Sequence, residues 1–314
     1  MQIQENIPLA PFTTWKIGGP ASYFTRAKNI EDVMEAIAWA KRSNQKYFVL
    51  GGGSNILVSD SGFDGLVIKI ELDYVNQSDG QLTAGAGVSM SRLGAITMQK
   101  NLGGLEWAIG IPGTVGGAVF GNSNCFGGST GQNIKSVKLL NAFGHIRDES
   151  KDYFEFDYDY SKLQKTGEIV LEASFSLQKV PSETMTQRRK DITKTAVERV
   201  SAQPLGKKVA GSVFKAFKQT QEIVKQMDKN CPEWREQGIR DNLISAGFII
   251  DKCLRLKGYK LDQMKVSELH ANFFENIGSA TAKNAKALID FIKKECKNKL
   301  DIELEEEIKY VGRF

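Results

Sequence analysis

The sequence Gly-Ile-Pro-Gly-Thr-Val-Gly-Gly-Ala occupies residues 110–118 and is the stretch that indicates the fold. Five glycines fall within 15 residues here, so the segment predicts neither an ordinary helix nor an ordinary strand. Glycine supplies positive φ angles and close approach to a ligand, while Pro112 stiffens the entry to the turn. Apolar residues flank the segment at 107–109 and 119–120, so it is not a flexible linker. The pattern is typical of a tight structural turn or of a cradle for a diphosphate or flavin, and alone it does not separate them.

Length and composition describe an ordinary globular protein of two or three domains, with 314 residues, 41% hydrophobic and 25% charged. No apolar run reaches the length of a membrane span, and the N-terminus lacks the features of a signal peptide. We therefore expect a cytoplasmic protein with no membrane partner. The net charge is +5 without a basic stripe, which argues against nucleic-acid binding and suits small anionic ligands.

The cysteines predict neither a metal site nor a disulfide. They contain no Cys-x-x-Cys pair, and the chain has only two histidines, so no zinc site is expected. We expect four reduced, mostly buried thiols. The four residues are Cys125, Cys231, Cys253 and Cys296.

Helices and strands alternate with short loops in the first half of the chain, which predicts an α+β or α/β domain. A helix is expected over residues 29–43 with Asn29 as its cap, and a second helix is expected to begin at Ser91. A C-terminal helix is predicted from its cap Thr281 to about Lys297. The predicted strands are 47–50, 65–70, 82–86, 136–140 and 169–177.

A second glycine loop, Gly-Gly-Gly-Ser-Asn at residues 51–55, directly follows a predicted strand. Successive amides in such a loop form a nest for phosphate oxygens. The loop is not the Gly-x-Gly-x-x-Gly fingerprint, and no Walker lysine is present, which argues against a Rossmann or P-loop protein. Together with residues 110–118, it suggests a ligand whose diphosphate is held between two loops.

Both loops resemble those of the UDP-N-acetylenolpyruvoylglucosamine reductase (MurB) family. The sequence Phe-Thr-Thr-Trp-Lys-Ile-Gly-Gly-Pro-Ala at 12–21 looks like the opening segment of that family, and Ala-Gly-Ser-Val-Phe-Lys at 210–215 looks like its serine motif. The resemblance spans nearly the whole chain in order and is closest to the shorter, second type of the family. Further matching segments are 84–88, 245–251, 256–259, 266–273 and 304–309.

This resemblance implies an α+β fold with a two-part FAD-binding domain of the PCMH/MurB type over residues 1–180, in subdomains of about 1–70 and 71–180. It also implies a connecting helix over 181–204 and a C-terminal α+β substrate-binding domain over 205–314, whose last residues are candidates for returning to the first domain.

The implied activity uses FAD and NADPH. NADPH reduces FAD, and the flavin passes hydride to the enolpyruvyl ether of UDP-N-acetylglucosamine enolpyruvate. The product is UDP-N-acetylmuramate, a peptidoglycan precursor, and a monomer is expected.

The resemblance also implies site residues. Hydride addition leaves carbanion character beside a carboxylate, and a positioned hydroxyl is a sufficient proton donor for it. Ser212 takes this role, with a capping serine as the alternative, and the catalytic glutamate of the family falls on Glu307, with a solvated acidic face as the alternative. Substrate contacts fall on Lys215, His270 and Asn272, with a surface lysine and a structural histidine as alternatives. The cofactor residues implied are Gly51, Gly52, Gly53, Ser54, Asn55, Ile56, Gly110, Gly113, Thr114, Gly116, Gly117, Ala118, Asn122 and Val170.

Some positions depart from the family pattern. The arginine of its Tyr-Arg-x-Ser segment is Asp159 here, and the Asn-Pro after the serine motif is Ala216-Phe217. Loss of one preorganised donor costs about 3–4 kcal/mol of transition-state stabilisation. Two alternatives therefore stay open. One is a slow or inactive flavin protein that binds a UDP-sugar, and the other is an oxidase of the wider flavin fold acting on another substrate.

Overall fold

The computed structural model describes residues 1–78, 81–125, 127–240 and 242–314. The chain forms two compact units, each of which combines segments that are distant in sequence. The division falls inside the loop at 51–55, between Gly52 and Gly53. The first unit comprises Met1–Ile7, Ala21–Gly52 and Asp64–Val197, and the second comprises Pro8–Pro20, Gly53–Phe63 and Glu198–Phe314. The domain boundaries expected from the sequence stay a prediction.

Helices occur in both units. They are α1 (Ile30–Arg42), α2 (Met90–Gln99), α3 (Val115–Gly121), α4 (Thr130–Asn133), α5 (Leu163–Thr166), α6 (Ser182–Ala202), α7 (Gln221–Asn230), α8 (Trp234–Gln237), α9 (Ala246–Phe248) and α10 (Ala282–Leu300). Short 3₁₀ turns lie at Ala10–Phe12, Glu106–Ala108 and Lys151–Phe154, and α9 continues into a π-helical turn at Ile249–Cys253. Among the described helices, none combines the length and hydrophobicity needed to cross a bilayer.

The strands are short and mostly antiparallel. They are β1 (Gln4–Pro8), β2 (Pro20–Ala27), β3 (Tyr47–Leu50), β4 (Ile56–Val58), β5 (Phe63–Ile70), β6 (Val75–Ser78), β7 (Gln81–Gly85), β8 (Leu102–Gly103), β9 (Asn124–Cys125), β10 (Gly128–Ser129), β11 (Ile134–Leu140), β12 (Ile146–Ser150), β13 (Ile169–Ser176), β14 (Gln178–Lys179), β15 (Phe217–Lys218), β16 (Ile239–Arg240), β17 (Leu243–Ile244), β18 (Lys260–Leu261), β19 (Met264–Val266), β20 (Phe274–Asn276) and β21 (Lys309–Val311).

Side-chain caps fix where the predicted helices begin. Asn29 accepts a hydrogen bond from the Asp32 N–H at the start of α1, and Thr281 forms a capping box with Asn284 at the start of α10, so both predictions are confirmed. The predicted start of α2 at Ser91 is wrong. Ser89 is the residue that accepts the hydrogen bond from the Arg92 N–H, and the helix begins one residue before Ser91.

The first unit is built on two sheets. One has the order β1-β2-β5-β3, in which β3 and β5 are parallel and Leu50 pairs with Lys69. The other is an antiparallel sheet of order β12-β11-β13-β7-β6. A single buried apolar cluster runs through both sheets and includes Ile37 from α1, Leu93 from α2 and Val119 from α3. The glycine turn at 110–118 therefore leads into a helix that is packed on a core.

The second unit draws residues from both ends of the chain. Its apolar cluster joins Trp15 and Leu57 to Leu288 and Ile292 of α10. The fully buried Trp15 donates its indole N–H to the Phe274 carbonyl at 2.7 Å. In addition, β21 runs parallel to β4, with Lys309 opposite Ile56.

The expectation of four reduced thiols is wrong for two of the cysteines. Cys231 and Cys253 form a disulfide, with their Cα atoms 5.6 Å apart, so these two thiols are not reduced. The sequence separation of 22 residues gave no sign of the pairing. The fold brings the residue after α7 against the end of the π-helical turn. Cys125 and Cys296 are not part of this disulfide, in agreement with the expectation of thiols.

Candidate active site

In the first unit, the two glycine loops predicted from the sequence are in contact. A Cβ atom on Gly52 would lie 2.7 Å from the Gly113 Cα, and one on Gly51 would lie 2.8 Å from the Thr114 hydroxyl oxygen. Backbone packing therefore excludes a side chain at Gly52. Gly113 has a φ of +112°, a conformation that favours glycine.

The residues after Gly113 form a turn whose amides are held by specific acceptors. Thr114 caps α3 by accepting from the Gly117 N–H, and the Gly110 N–H donates to the Ser91 hydroxyl at 2.8 Å. A Cβ on Gly116 would meet Ala86 at 3.0 Å, whereas one on Gly117 would have only an ordinary contact at 3.8 Å. Packing within the unit therefore explains the glycine at 116 but not the one at 117.

Three other predicted cofactor residues have structural partners. Ala118 and Val170 are buried in the core of the first unit. Asn122 has left-handed backbone angles at the end of α3, and its side chain donates to the Asp157 carbonyl at 2.8 Å and accepts from the Gly131 N–H at 2.9 Å. The Asn122 amide thus ties the end of α3 to two neighbouring turns.

Asp159 lies in the turn that Asn122 holds. Asp157 and Tyr160 exchange two backbone hydrogen bonds of 3.2 Å around it, and its carbonyl accepts from the Gln164 amide. Asp159 is buried with a φ of +48°, a left-handed conformation that aspartate tolerates better than most residues do. Its carboxylate oxygen lies 3.8 Å from the place of a Cβ on Gly121. The local backbone therefore gives a reason for aspartate at this position.

In the second unit, residues 53–55 come together with the serine motif and the C-terminal acidic segment. Gly53 has a φ of +63°, and a Cβ there would overlap the Phe12 carbonyl. The Ser54 carbonyl oxygen lies 3.9 Å from the place of a Cβ on Gly211, the residue before Ser212. The Asn55 side-chain N–H donates to the Glu307 carbonyl at 3.3 Å. Residues predicted to bind the cofactor and residues predicted to be catalytic thus lie in one cluster. Ile56 follows Asn55 and pairs with Lys309 of β21 next to this cluster.

A short ladder joins the serine motif to the C-terminal acidic segment. The Lys215 N–H donates to the Glu305 carbonyl at 2.9 Å, and the Glu307 N–H donates to the Val213 carbonyl at 2.8 Å. Phe214 is paired with Glu306 between these two bonds. Among the described residues, none shares a hydrogen bond with the Ser212 hydroxyl, which argues against a capping role.

The acidic side chains of this segment have different partners. Glu305 is exposed and forms an ion pair with Lys215, so this lysine is engaged within the protein. Glu306 pairs with Lys293 at 2.8 Å. Glu307 is half-buried between the ladder and Asn55. The structure therefore distinguishes Glu307 from Glu305 and Glu306, which have lysine partners. Alternation along the sequence could not do this, because it places Glu305 and Glu307 on the same side of a strand.

Asn272 holds the serine motif in place. Its side-chain oxygen accepts from the Phe214 N–H at 3.0 Å, and its side-chain N–H donates to the Phe214 carbonyl at 2.8 Å. The Val213 N–H donates to the Asn272 carbonyl as well. Both ends of this buried amide are therefore used by the backbone just after Ser212.

His270 lies two residues before this amide. Its Nδ1 accepts from the Asn272 N–H at 3.3 Å, so the neutral ring carries its proton on Nε2. The ring also packs edge-on against Phe273. The imidazole therefore has a fixed orientation and a second nitrogen that is a donor.

Each unit, taken by itself, has a feature that fits a bound flavin dinucleotide, Asn55 in the second unit and Gly117 in the first. The Asn55 side-chain oxygen is buried and has no hydrogen-bond partner among the described residues, so a donor from a bound molecule would satisfy it. The room at Gly117 is the second such feature, because a Cβ there would fill space that the protein leaves open. Among the described residues, no group of three or more His, Cys, Asp or Glu is arranged to hold a metal ion.

Sequence reasoning missed two residues around the glycine turn. Ser91 holds the Gly110 amide, and the Trp107 indole packs against Gly128 so closely that a Cβ there would overlap it. The Trp107 indole N–H is buried without a partner among the described residues. A polar aromatic residue beside a glycine-rich segment was the available signal for Trp107. Ser91 gave no signal, because its partner is 19 residues away.

Comparison with known proteins identifies the family. The family model of an FAD binding domain matches residues 21–150, and that of the C-terminal domain of UDP-N-acetylenolpyruvoylglucosamine reductase matches residues 203–311. The reductase of Lactobacillus gasseri is 35% identical over 316 residues, covering 100% of this chain and 95% of that protein. The chain belongs to the UDP-N-acetylenolpyruvoylglucosamine reductase family.

Two further reductases are similar to nearly the whole chain. The Alkaliphilus metalliredigens reductase is 36% identical over 307 residues, covering 97% of this chain and 92% of that protein. The crystal structure of the Thermus caldophilus reductase (MurB) matches with a TM-score of 0.77 at 28% identity, covering 99% of this chain and 100% of that one. Membership of the reductase family confirms the predicted α+β class and makes the chain a flavin-dependent oxidoreductase that uses FAD and NADPH.

Proposed function

We propose that this chain reduces UDP-N-acetylglucosamine enolpyruvate to UDP-N-acetylmuramate, with Ser212 as the proton donor and Glu307 as the second catalytic group. The observation that carries these assignments is the cluster in the second unit, where residues 53–55, Gly211 and Glu307 are neighbours. The names of the relatives support the reaction, because each is a UDP-N-acetylenolpyruvoylglucosamine reductase.

The glycine turns of the first unit bind the cofactor in this proposal. Gly51, Gly52 and Gly113 leave their backbone open to a diphosphate because they carry no side chains. The Gly116 and Gly117 N–H groups are donated to the Ala86 carbonyl and the Thr114 hydroxyl, so these two glycines contribute space rather than free amides. FAD, when bound, supplies the hydride that it has received from NADPH.

The serine motif of the second unit handles the proton. Addition of hydride to the enol ether leaves negative charge on the carbon beside the carboxylate, and the Ser212 O–H gives its proton to that carbon. The Asn272 amide fixes the backbone after Ser212, so the hydroxyl needs little reorganisation. Glu307 holds a carboxyl group beside the same ladder.

Two further residues, His270 and Lys215, are assigned to binding of the substrate. His270, with its Nε2–H as donor, suits a phosphate or uridine oxygen. Lys215 binds a phosphate only by exchanging its ion pair with Glu305, which an exposed carboxylate permits. NADPH and a nucleotide sugar are metabolites of the cytoplasm, so we place the protein there. We also propose a monomer, which light scattering tests.

A turnover assay tests the proposed function. The purified protein should show a flavin absorption spectrum and oxidise NADPH rapidly only when UDP-N-acetylglucosamine enolpyruvate is added. NADPH oxidation that is absent, or that is the same without this substrate, would contradict the reductase. An active flavin with a different acceptor would instead support the oxidase alternative.

A slow reductase is the second candidate, and the buried carboxylate of Asp159 favours it. An aspartate opposes negative charge where the family places a guanidinium. If that position takes part in the reaction, Asp159→Arg raises turnover by about 10²-fold, the effect of regaining one preorganised donor. Asp159→Asn is the control, because it removes the charge and keeps the tolerance for positive φ. An unchanged rate in both variants would show that another cation has replaced the arginine.

A further inference from the structure

Lys69 lies beside the first glycine loop and takes no part in the site described so far. It is in β5, opposite Leu50, the last residue of β3. Its side chain is half-buried, and its ammonium donates a hydrogen bond to the Gly51 carbonyl. All of these residues belong to the first unit. A lysine from a neighbouring strand thus reaches the first peptide of the glycine loop.

This hydrogen bond fixes the direction of a peptide plane. In a planar trans peptide, the Gly51 C=O and the Gly52 N–H point in opposite directions. Because the carbonyl points at Lys69, the Gly52 N–H points away from it. Among the described residues, none accepts a hydrogen bond from the Gly52 N–H. Lys69 therefore presents one amide donor of the loop to a ligand.

The charge of Lys69 is not neutralised by an ion pair within the described part of the chain. The carboxylate acting on it is that of Glu71, which is paired with Arg26. Burial lowers the pKa of the Lys69 ammonium, while Glu71 raises this pKa and Arg26 lowers it. A partly desolvated cation without a matching anion is the environment in which an anionic ligand gains most.

We propose that Lys69 is a cofactor-positioning residue that orients the Gly51–Gly52 peptide and supplies positive charge for the diphosphate of FAD. This assignment rests on the proposed function of the glycine loops. It adds a residue outside them to the anion site.

FAD binding to the deflavinated full chain tests this role without any turnover. The dissociation constant is measured by flavin fluorescence for the wild type, Lys69→Met, Lys69→Gln and Lys69→Arg. Lys46→Met is the matched control, because Lys46 is exposed directly before β3 and its removal changes the net charge equally. We expect Lys69→Met to weaken binding about tenfold or more, since a hydrogen bond to a charged group is lost.

The other variants distinguish the hydrogen bond that Lys69 donates from the positive charge that it carries. Lys69→Arg should bind FAD within about threefold of the wild type, because it keeps both charge and donor. Lys69→Gln, a neutral donor, should lie between Lys69→Arg and Lys69→Met. Thermal unfolding of the apo forms should be the same for Lys69→Met and Lys46→Met, which a purely structural role would not give.

Two failures are distinguishable. If Lys69→Met and Lys46→Met bind FAD equally well, or if Lys69→Arg is as weak as Lys69→Met, the positioning role is wrong while the cofactor site stands. If the wild type binds no FAD, the proposed function itself fails. Should Lys69→Met not fold, equal affinity of Lys69→Gln and Lys69→Arg would overturn the role.

Discussion

The glycine loops of the first unit and the serine motif of the second unit are shaped in different ways. At Gly51, Gly52 and Gly113 the shape comes from missing side chains, because the Gly52 backbone packs directly against that of Gly113 and Gly51 lies against the Thr114 hydroxyl. Around Ser212 the shape comes from side chains that are present, since Asn272 bonds to the backbone of the serine motif and Asn55 bonds to the Glu307 carbonyl of the C-terminal acidic segment.

This difference separates binding from chemistry. A backbone cradle offers amides to any diphosphate and depends on sterics, so we expect substitutions there to change cofactor affinity. A hydroxyl on a backbone that the buried Asn272 amide fixes acts on one reacting atom, so substitutions there should change turnover or folding. The following variants either sharpen this contrast or break it.

The largest effect is expected for Ser212→Ala. Loss of a general acid lowers the catalytic rate by about 10²–10⁴-fold. The glycine loops are untouched, so FAD content and the visible spectrum should equal those of the wild type. Steady-state kinetics with saturating NADPH measure the change. A rate within tenfold of the wild type would assign the proton to another donor.

Asn272→Ala should destabilise the protein by about 4 kcal/mol. It leaves the N–H and C=O of Phe214 buried without partners, and each unsatisfied buried group costs about 1–3 kcal/mol. Urea unfolding of the apoprotein measures the difference. Asn230→Ala, at an exposed position of α7, is the control and should change little. Equal stability of the two variants would refute the holding role of Asn272.

Reduction of the Cys231–Cys253 disulfide should lower stability by about 3 kcal/mol, the loop-entropy value for a closed loop of this length. Thiol titration in denaturant without reductant should find two free thiols, and four after reduction. In the native state Cys296 should not react, because burial raises the pKa of its thiol to about 12. Four free thiols before reduction would show that the bond does not form.

The smallest effect is expected for alanine at Gly117 and at Gly116, a pair of variants that distinguishes contact with the cofactor from packing within the protein. Gly117→Ala should weaken FAD binding about tenfold while leaving apo stability unchanged or slightly raised, since alanine favours helix and the protein leaves room for its Cβ. Gly116→Ala is the matched variant, and its Cβ meets Ala86. It should destabilise the apoprotein, as crowding does. FAD titration and thermal unfolding of both variants give the comparison, and equal FAD affinity of Gly117→Ala and wild type would place the cofactor elsewhere.

The parts of the molecule that follow from local chemistry were predictable from the sequence. Asn29 and Thr281 mark helix starts because their side chains bond residues three positions away. The glycine loops were recognisable because glycine and proline restrict the backbone directly. Long-range partners were not predictable, since neither the Asn272–Phe214 bonds nor the Cys231–Cys253 pairing leaves a periodic or local trace.

The backbone conformation of Asp159 is another feature that the sequence could not predict. The sequence marked it as a departure from a family pattern, and the structure adds a left-handed backbone in a tight turn. No composition rule gives the φ of one residue in a turn. The same holds for Ser89 and Ser91, where either serine is an acceptable cap and only the observed hydrogen bonds assign one to α2 and the other to Gly110.

The burial of Trp15 has a consequence for how the chain is made. Its indole bonds to Phe274, 259 residues later, so the opening segment has no core to enter until nearly the whole chain has been synthesised. At about 5–20 residues per second, this is a wait of roughly 10–50 s. During that time residues 8–20 and 53–63, which carry the core residues Trp15 and Leu57, have no core to pack into and are exposed to other chains and to chaperones. A C-terminal fragment cut at residue 203 would lack Trp15 and Leu57 from its core, and it would therefore be a poor choice for expression alone.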